Sequence, residues 1–321
     1  MDNSHLASPQ DDVDPQIRRF LKRTAAGYAG YPELSSIPPP EARRIAEVVR
    51  AQWARGGPDM ASSRELRVGS LGTRVRILRA QPDVSLPALV YLHGGGWTLL
   101  SIDTHDRLMR EYAARAGVAV VAVDYSRSPE AKYPRALEET VSVIDWLESH
   151  GVEHGLDPLR VAVGGDSAGA NLSVASQLRL RALGRPVVSA MLLNYGVYTD
   201  QFAPSWSRYD GPSYMLETRE MGWFWNNYLR SEADRGDPLV MPLLGDLRGL
   251  PPTHMVIAEC DVLADGNRAM AAALRSAGVE TDARVYEGAT HSFLEAVSIS
   301  DMAAQALSDA SNWLKHRLHK K

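Results

Sequence analysis

The sequence predicts an α/β fold: a mostly parallel central sheet of about eight strands, helices on both faces and a helical cap. Three observations lead there. Continuous apolar runs such as Leu86–Leu92 and Val118–Val123 alternate with amphipathic helical stretches. Strands covered on both faces read as unbroken apolar runs, whereas half-exposed strands alternate. A Gly-x-Ser-x-Gly pentapeptide, Gly165-Asp166-Ser167-Ala168-Gly169, stands between the strand-like Arg160–Gly164 and the helix-like Ala170–Leu178. A long aromatic stretch between Tyr195 and Thr253 interrupts the strand–helix rhythm.

Residues 1 to about 14 are polar and acidic and are expected to fray. Ile17, Phe20, Leu21 and Ala25 make one helix face over Pro15–Tyr31, and Pro38-Pro39-Pro40 breaks the chain. Ile45, Val48, Val49 and Trp53 then predict a second helix over Glu41–Ala54, ended by Gly56-Gly57-Pro58. Leu66 and Val68, a Leu71-Gly72 turn, and Val75, Ile77 and Ala80 read as a β-hairpin. Strands follow at Leu86–Leu92, Val118–Val123, Arg160–Gly164, Val187–Leu193, Thr253–Ala258 and Ala283–Tyr286, with helices at Asp103–Ala116, Pro134–His150 and Met302–Leu318. The interruption carries Tyr195, Tyr198, Phe202, Trp206, Tyr209, Tyr214, Trp223, Phe224, Trp225 and Tyr228. An insertion this aromatic predicts a lid over an apolar pocket, packed on the two N-terminal helices. The expected division is therefore a cap from 1–55 and 197–240 on a core from 60–196 and 241–321.

The chain has 321 residues, 45% of them hydrophobic and 23% charged, enough for a large core. A net charge of -4 gives no nucleic-acid footprint. The basic end, Lys315–Lys321, reads as a solvated helix terminus with cations at the negative end of the dipole. The single cysteine, Cys260, excludes an intrachain disulfide and fits a reducing compartment; its place at the end of a buried strand predicts a packed thiol. Met1–Leu6 shows neither a basic nor an apolar leader region, and no run approaches the ~18 apolar residues of a membrane span. The expectation is a cytoplasmic protein with no membrane or nucleic-acid partner, compatible with a homodimer.

A serine hydroxyl is a weak nucleophile and needs a base, a group that orients the base, and donors for the oxyanion. In open α/β sheets these collect at the carboxyl ends of strands. Leu89–Leu92 runs into His93-Gly94-Gly95-Gly96-Trp97, whose unhindered N–H groups suit an oxyanion loop, completed by the amide of Ala168 after the nucleophile. His93 is read as a loop-bracing histidine bonded to backbone. Beyond the strand Met255–Ala258 stand two candidate acids: Asp261, first after the strand, and Asp265, in the next helix's first turn, where capping alone also favours a carboxylate. His291, on the loop after the last strand, is the candidate base, and the order Ser, Asp, His agrees with that of α/β-hydrolases.

On these residues the chain resembles the hormone-sensitive-lipase-like, bacterial family IV branch of the α/β-hydrolases, over roughly residues 60 to 320. The resemblance rests on His93–Trp97, on Gly165–Gly169 with Asn171, on Asp261-Val262-Leu263-Ala264-Asp265, on His291-Ser292-Phe293, and on Asp124-Tyr125-Ser126-Arg127-Ser128-Pro129-Glu130, which is similar to the family's Asp-Tyr-Arg-Leu-Ala-Pro-Glu. It implies that Asp261 is the catalytic acid and that Gly95, Gly96 and Ala168 are the oxyanion donors. It also implies a cap built from the N-terminus and the insertion. Two departures stand out. Ser292 replaces the family's frequent glycine, and Ser126-Arg127-Ser128 replaces Arg-Leu-Ala. Both bear on loop packing rather than on a catalytic atom.

The expected activity is hydrolysis of small-molecule carboxylic esters with short to medium acyl or aryl groups through an acyl-enzyme. Ser167 is the nucleophile, His291 the general base and Asp261 its orienter, and activity should fall as pH drops through about 6–7. Trp97, Tyr195, Trp206, Tyr214 and Trp223 are the candidate pocket residues. No ligand-spaced metal cluster, P-loop or dinucleotide fingerprint is present in the sequence, so no cofactor or metal is expected. An amidase or deacylase using the same triad is the nearest alternative. A non-catalytic small-molecule receptor is the other, and such a protein would be expected to lack a triad member.

Overall fold

The computed structural model describes residues 12–319 apart from residue 83. Its core is an eight-stranded sheet in the order β1-β2-β4-β3-β5-β6-β7-β8. β1 (Ser62–Val68) and β2 (Thr73–Arg79) form the antiparallel hairpin, and β2 pairs antiparallel with β4 (Ala119–Asp124). β3 (Leu86–Leu92), β4, β5 (Leu156–Asp166), β6 (Ala190–Asn194), β7 (Thr253–Cys260) and β8 (Thr281–Thr290) run parallel. Every residue of β3 is buried, as a strand covered on both faces must be.

Two N-terminal helices, α1 (Pro15–Tyr28) and α2 (Pro39–Ala54), precede the sheet. α3 (Asp106–Ala116), α4 (Arg135–His150), α5 (Ala168–Ala182), α8 (Ala264–Ser276) and α9 (Asp301–Leu318) belong to the sheet's crossovers and closing segment. α6 (Pro204–Arg208) and α7 (Thr218–Tyr228) lie in the insertion between β6 and β7.

Several boundaries differ from expectation for local reasons. α3 begins at Asp106, because residues 102–105 form a turn instead, in which the Thr104 hydroxyl accepts the Ser101 N–H at 3.0 Å. β6 begins at Ala190, since the Val188 N–H goes to the Gln177 side chain at 2.9 Å instead of a neighbouring strand. The fraying expected over 1 to about 14 lies outside the described residues as far as residue 11, and it does not extend to Asp12–Asp14. Val13 is buried, the Asp14 N–H donates to the Gly288 carbonyl at 2.9 Å, and the Asp14 carboxylate caps α1 through the Gln16 and Ile17 N–H groups. The basic terminus is described only to His319.

α1 and α2 pack on each other. Phe20 meets Trp53 edge to face at 4.8 Å, and the Trp53 indole N–H donates to the Thr24 hydroxyl at 3.0 Å. Among the described residues no helix is long and apolar enough to cross a membrane.

Candidate active site

The carboxyl ends of β3, β5, β7 and β8 bring the candidate residues to one edge of the sheet. β5 ends at Asp166 and α5 starts at Ala168, leaving Ser167 alone in the turn with φ +55°. A non-glycine residue in this region is strained and is held there by its surroundings. Both flanking glycines are required sterically. A Cβ at Gly165 or at Gly169 would run into the Leu92 carbonyl oxygen at the end of β3.

Ser167 Oγ lies 3.0 Å from His291 Nε2, and His291 Nδ1 lies 2.7 Å from Asp261 Oδ2. The other Asp261 oxygen accepts the Leu263 N–H at 2.9 Å, which fixes the carboxylate's orientation. Asp261 is 1% exposed and His291 5% exposed, so the chain of hydrogen bonds is buried up to the hydroxyl. Asp265 lies elsewhere: its carboxylate accepts the Ser205 N–H at the start of α6, a structural cap.

The loop after β3 holds Gly95 at φ +108° and Gly96 at φ +59°, with Trp97 and Leu100 also left-handed. A Cβ at Gly96 would overlap the Phe224 ring. Ala168 opens α5, so its N–H has no partner inside the helix. His93 faces away into the core. Its Nδ1 stands 2.7 Å from the Gly94 carbonyl, its ring stacks on Tyr125 at 4.3 Å, and burial pushes it down to about 3, keeping it neutral.

Beside Ser167 opens a cavity of about 300 Å³. Its wall comes from α1 (Leu21, Tyr28), Leu34, Arg50 of α2, the glycine loop, and the α7 region (Leu216, Glu220, Met221, Phe224). Burial pushes the Glu220 carboxyl up.

Of the predicted pocket aromatics, Trp97 alone lines this cavity. Tyr195 sits beneath the site, edge-on to His291 at 5.2 Å and beside Phe293. Trp206 packs toward Phe202 on the outside of the insertion, and Tyr214 packs on Tyr209 and donates to Asp12. Trp223 neighbours Phe224 but lies off the cavity, because one helical step turns it about 100° away.

Residues that sequence reasoning missed brace the glycine loop from outside. Arg43 Nε donates to the Thr98 carbonyl at 2.7 Å, Arg127 to the Leu100 carbonyl at 2.8 Å, and the Ser128 N–H to the Trp97 carbonyl at 2.8 Å. Arg127 and Ser128 fall in one of the two departures from the family pattern, so that segment supports the loop. At the other departure Ser292 adopts φ +61°, the conformation that explains a glycine there. Cys260 is a buried thiol pushed up to about 12 by burial. Among the described residues no group of three or more His, Cys, Asp or Glu side chains could hold a metal ion.

A family model described as an alpha/beta hydrolase fold matches residues 89–295. The chain belongs to the α/β-hydrolase family. An acetyl esterase of Salmonella paratyphi B is 35% identical over 272 residues, 84% of this chain and 84% of that protein. A thermostable esterase from Pseudomonas putida superposes with a TM-score of 0.89 at 30% identity, covering 97% of this chain and 99% of that one. An ester-hydrolase from the Lake Arreo metagenome gives 0.90 at 27% identity, covering 96% and 100%. Within the α/β-hydrolase family the protein is therefore a carboxylesterase.

Proposed function

We propose that this α/β-hydrolase is a serine-dependent esterase of the hormone-sensitive-lipase-like, family IV branch, acting on small esters with short to medium acyl or aryl groups through an acyl-enzyme. The observation that carries the reading is the relay from Asp261 Oδ2 to His291 Nδ1 at 2.7 Å and from His291 Nε2 to Ser167 Oγ at 3.0 Å.

Ser167 Oγ attacks the acyl carbon while its proton passes to His291 Nε2. Asp261 keeps the other imidazole proton on Nδ1 and stabilises the imidazolium. The N–H groups of Gly95, Gly96 and Ala168 receive the oxyanion as the carbonyl becomes tetrahedral. His291 returns its proton to the leaving alkoxide, and a water activated by the same nitrogen hydrolyses the acyl-enzyme.

Residues 1–55 and 197–240 act as the cap and the rest as the catalytic core, working in the cytoplasm. A cavity of about 300 Å³ is at the small end of ligand pockets, which supports short rather than long acyl chains, and a relative that is an acetyl esterase supports the same choice.

The test compares p-nitrophenyl acetate with its long-chain homologues and labels the enzyme with a fluorophosphonate. We expect acetate and butyrate esters to be cleaved fastest, label on Ser167, and Ser167→Ala to lose about 10⁶-fold in kcat. A Ser167→Ala enzyme that keeps its activity refutes the mechanism, and preferential cleavage of long acyl chains refutes the substrate class.

A further inference from the structure

The glycine loop is strained and must be held in place. Gly95, Gly96, Trp97 and Leu100 all have left-handed φ, and two of them carry side chains that disfavour it. Its outer side is braced by Arg43 and Arg127. Its inner side rests on one carboxylate, that of Asp166, the residue immediately before Ser167.

Asp166 is 2% exposed and uses both oxygens. Oδ1 accepts the Tyr91 hydroxyl of β3 at 2.9 Å. Oδ2 faces His105 Nε2 at 3.2 Å and lies so close to Gly94 that any side chain there would collide with it. His105 in turn holds the loop's far end: its Nδ1 stands 3.2 Å from the Ser101 carbonyl and 3.0 Å from the Thr104 hydroxyl. One carboxylate thus touches the strand before the loop, the loop's second residue, and the side chain that closes it.

The charge state agrees with this geometry. Burial opposes ionisation of both groups, but their mutual attraction outweighs it, holding the Asp166 carboxyl low and the His105 imidazole high. His93, 5.7 Å from His105, stays neutral.

We propose that the buried Asp166–His105 ion pair is a positioning device that holds the oxyanion loop in register with Ser167. The proposal rests on the reading of Gly95 and Gly96 as oxyanion donors. Neither member of the pair touches substrate; a loop displaced by an ångström misaims the donors, and such misplacement costs ~10²-fold in rate. Asp166→Asn keeps an acceptor for Tyr91 and removes the charge that holds His105.

The experiment measures kcat and KM on p-nitrophenyl acetate, and inhibition by a short aliphatic trifluoromethyl ketone, for Asp166→Asn, His105→Gln and the double variant. The ketone's carbonyl carbon bonds to Ser167 Oγ, the hydroxyl proton passes to His291, and the carbonyl oxygen becomes an oxyanion in the hole. We expect kcat to fall ~10–10²-fold with KM within about twofold, and the ketone inhibition constant to rise by the same factor. The double variant should be no worse than the worse single one, because the pair acts as a unit. A merely structural role would lower the urea midpoint and leave the kcat and ketone affinity of the folded fraction unchanged. That result, or a rise in KM alone, overturns the proposal. If Asp166→Asn does not fold, His105→Gln carries the same comparison, because it removes the pair's charge from the other side. Activity surviving in Ser167→Ala would instead bring down the esterase mechanism itself, a failure distinguishable from this one.

Discussion

His93 gives the protein a specific weakness to acid. The imidazole is fully buried against Tyr125, and burial, with the nearby His105 charge, pushes it down to about 3 while the Gly94 carbonyl only partly opposes. The unfolded chain takes up a proton there near the ordinary value of about 6.5. Between those two values the unfolded state binds more protons than the native one, so stability rises with pH and is lost as pH falls from about 6.5. At about 1.36 kcal/mol per unit, acidification from pH 7.5 to 5 removes about 2 kcal/mol through this one residue. His93→Asn places an amide near the Gly94 carbonyl and has no titration. Urea unfolding of both proteins at pH 7.5 and 5, extrapolated to water, measures the effect. The variant is weaker at both pH values because it loses the stack on Tyr125, so only the change with pH is informative. His254, also held low by burial, and the carboxylates titrate in both proteins and cancel. Wild type should lose about 2 kcal/mol more than the variant. Equal losses would mean that native His93 accepts a proton, and the picture of a dry, neutral loop brace would be wrong.

Two further substitutions test the site and the N-terminal helix beside it. Gly96→Ala forces a side chain into φ +59° and into the Phe224 ring; it should cost about 1–2 kcal/mol in urea unfolding from the backbone alone and about 10²-fold in kcat on p-nitrophenyl acetate. Glu295→Gln leaves the Arg50 guanidinium, 7% exposed and 3.2 Å from that carboxylate, without its counter-charge; it should cost about 3–5 kcal/mol of stability, and Arg50→Met in the same chain should recover most of it.

The parts of this molecule legible in the sequence are those whose chemistry is local. The strand–turn–helix around Ser167 is legible because the turn is tight enough to demand glycines on either side, and here both answer to the Leu92 carbonyl. His291 is legible as the histidine that follows the last strand. Asp261 and Asp265 were not separable by spacing, since both stand just beyond β7. What divides them is three-dimensional: one carboxylate is buried against the imidazole and the other caps α6.

The pocket was legible as a segment and not as residues. Aromatic content sets the insertion apart, but which face of α7 meets the cavity depends on how that helix docks on the glycine loop, where Phe224 meets Gly96 and Trp225 and Tyr228 meet Trp97, a contact between parts of the chain far apart in sequence. Phe224 faces the cavity while its neighbour Trp223 does not, and both are apolar and aromatic. The glycine at position 96 carries the missing information. It has no side chain because the Phe224 ring occupies that space, so the bare backbone of the glycine loop is the surface on which α7 rests. On the proposed reading of Gly96 as an oxyanion donor, the ring that shapes the cavity and the backbone that meets the substrate oxygen are therefore set by one contact.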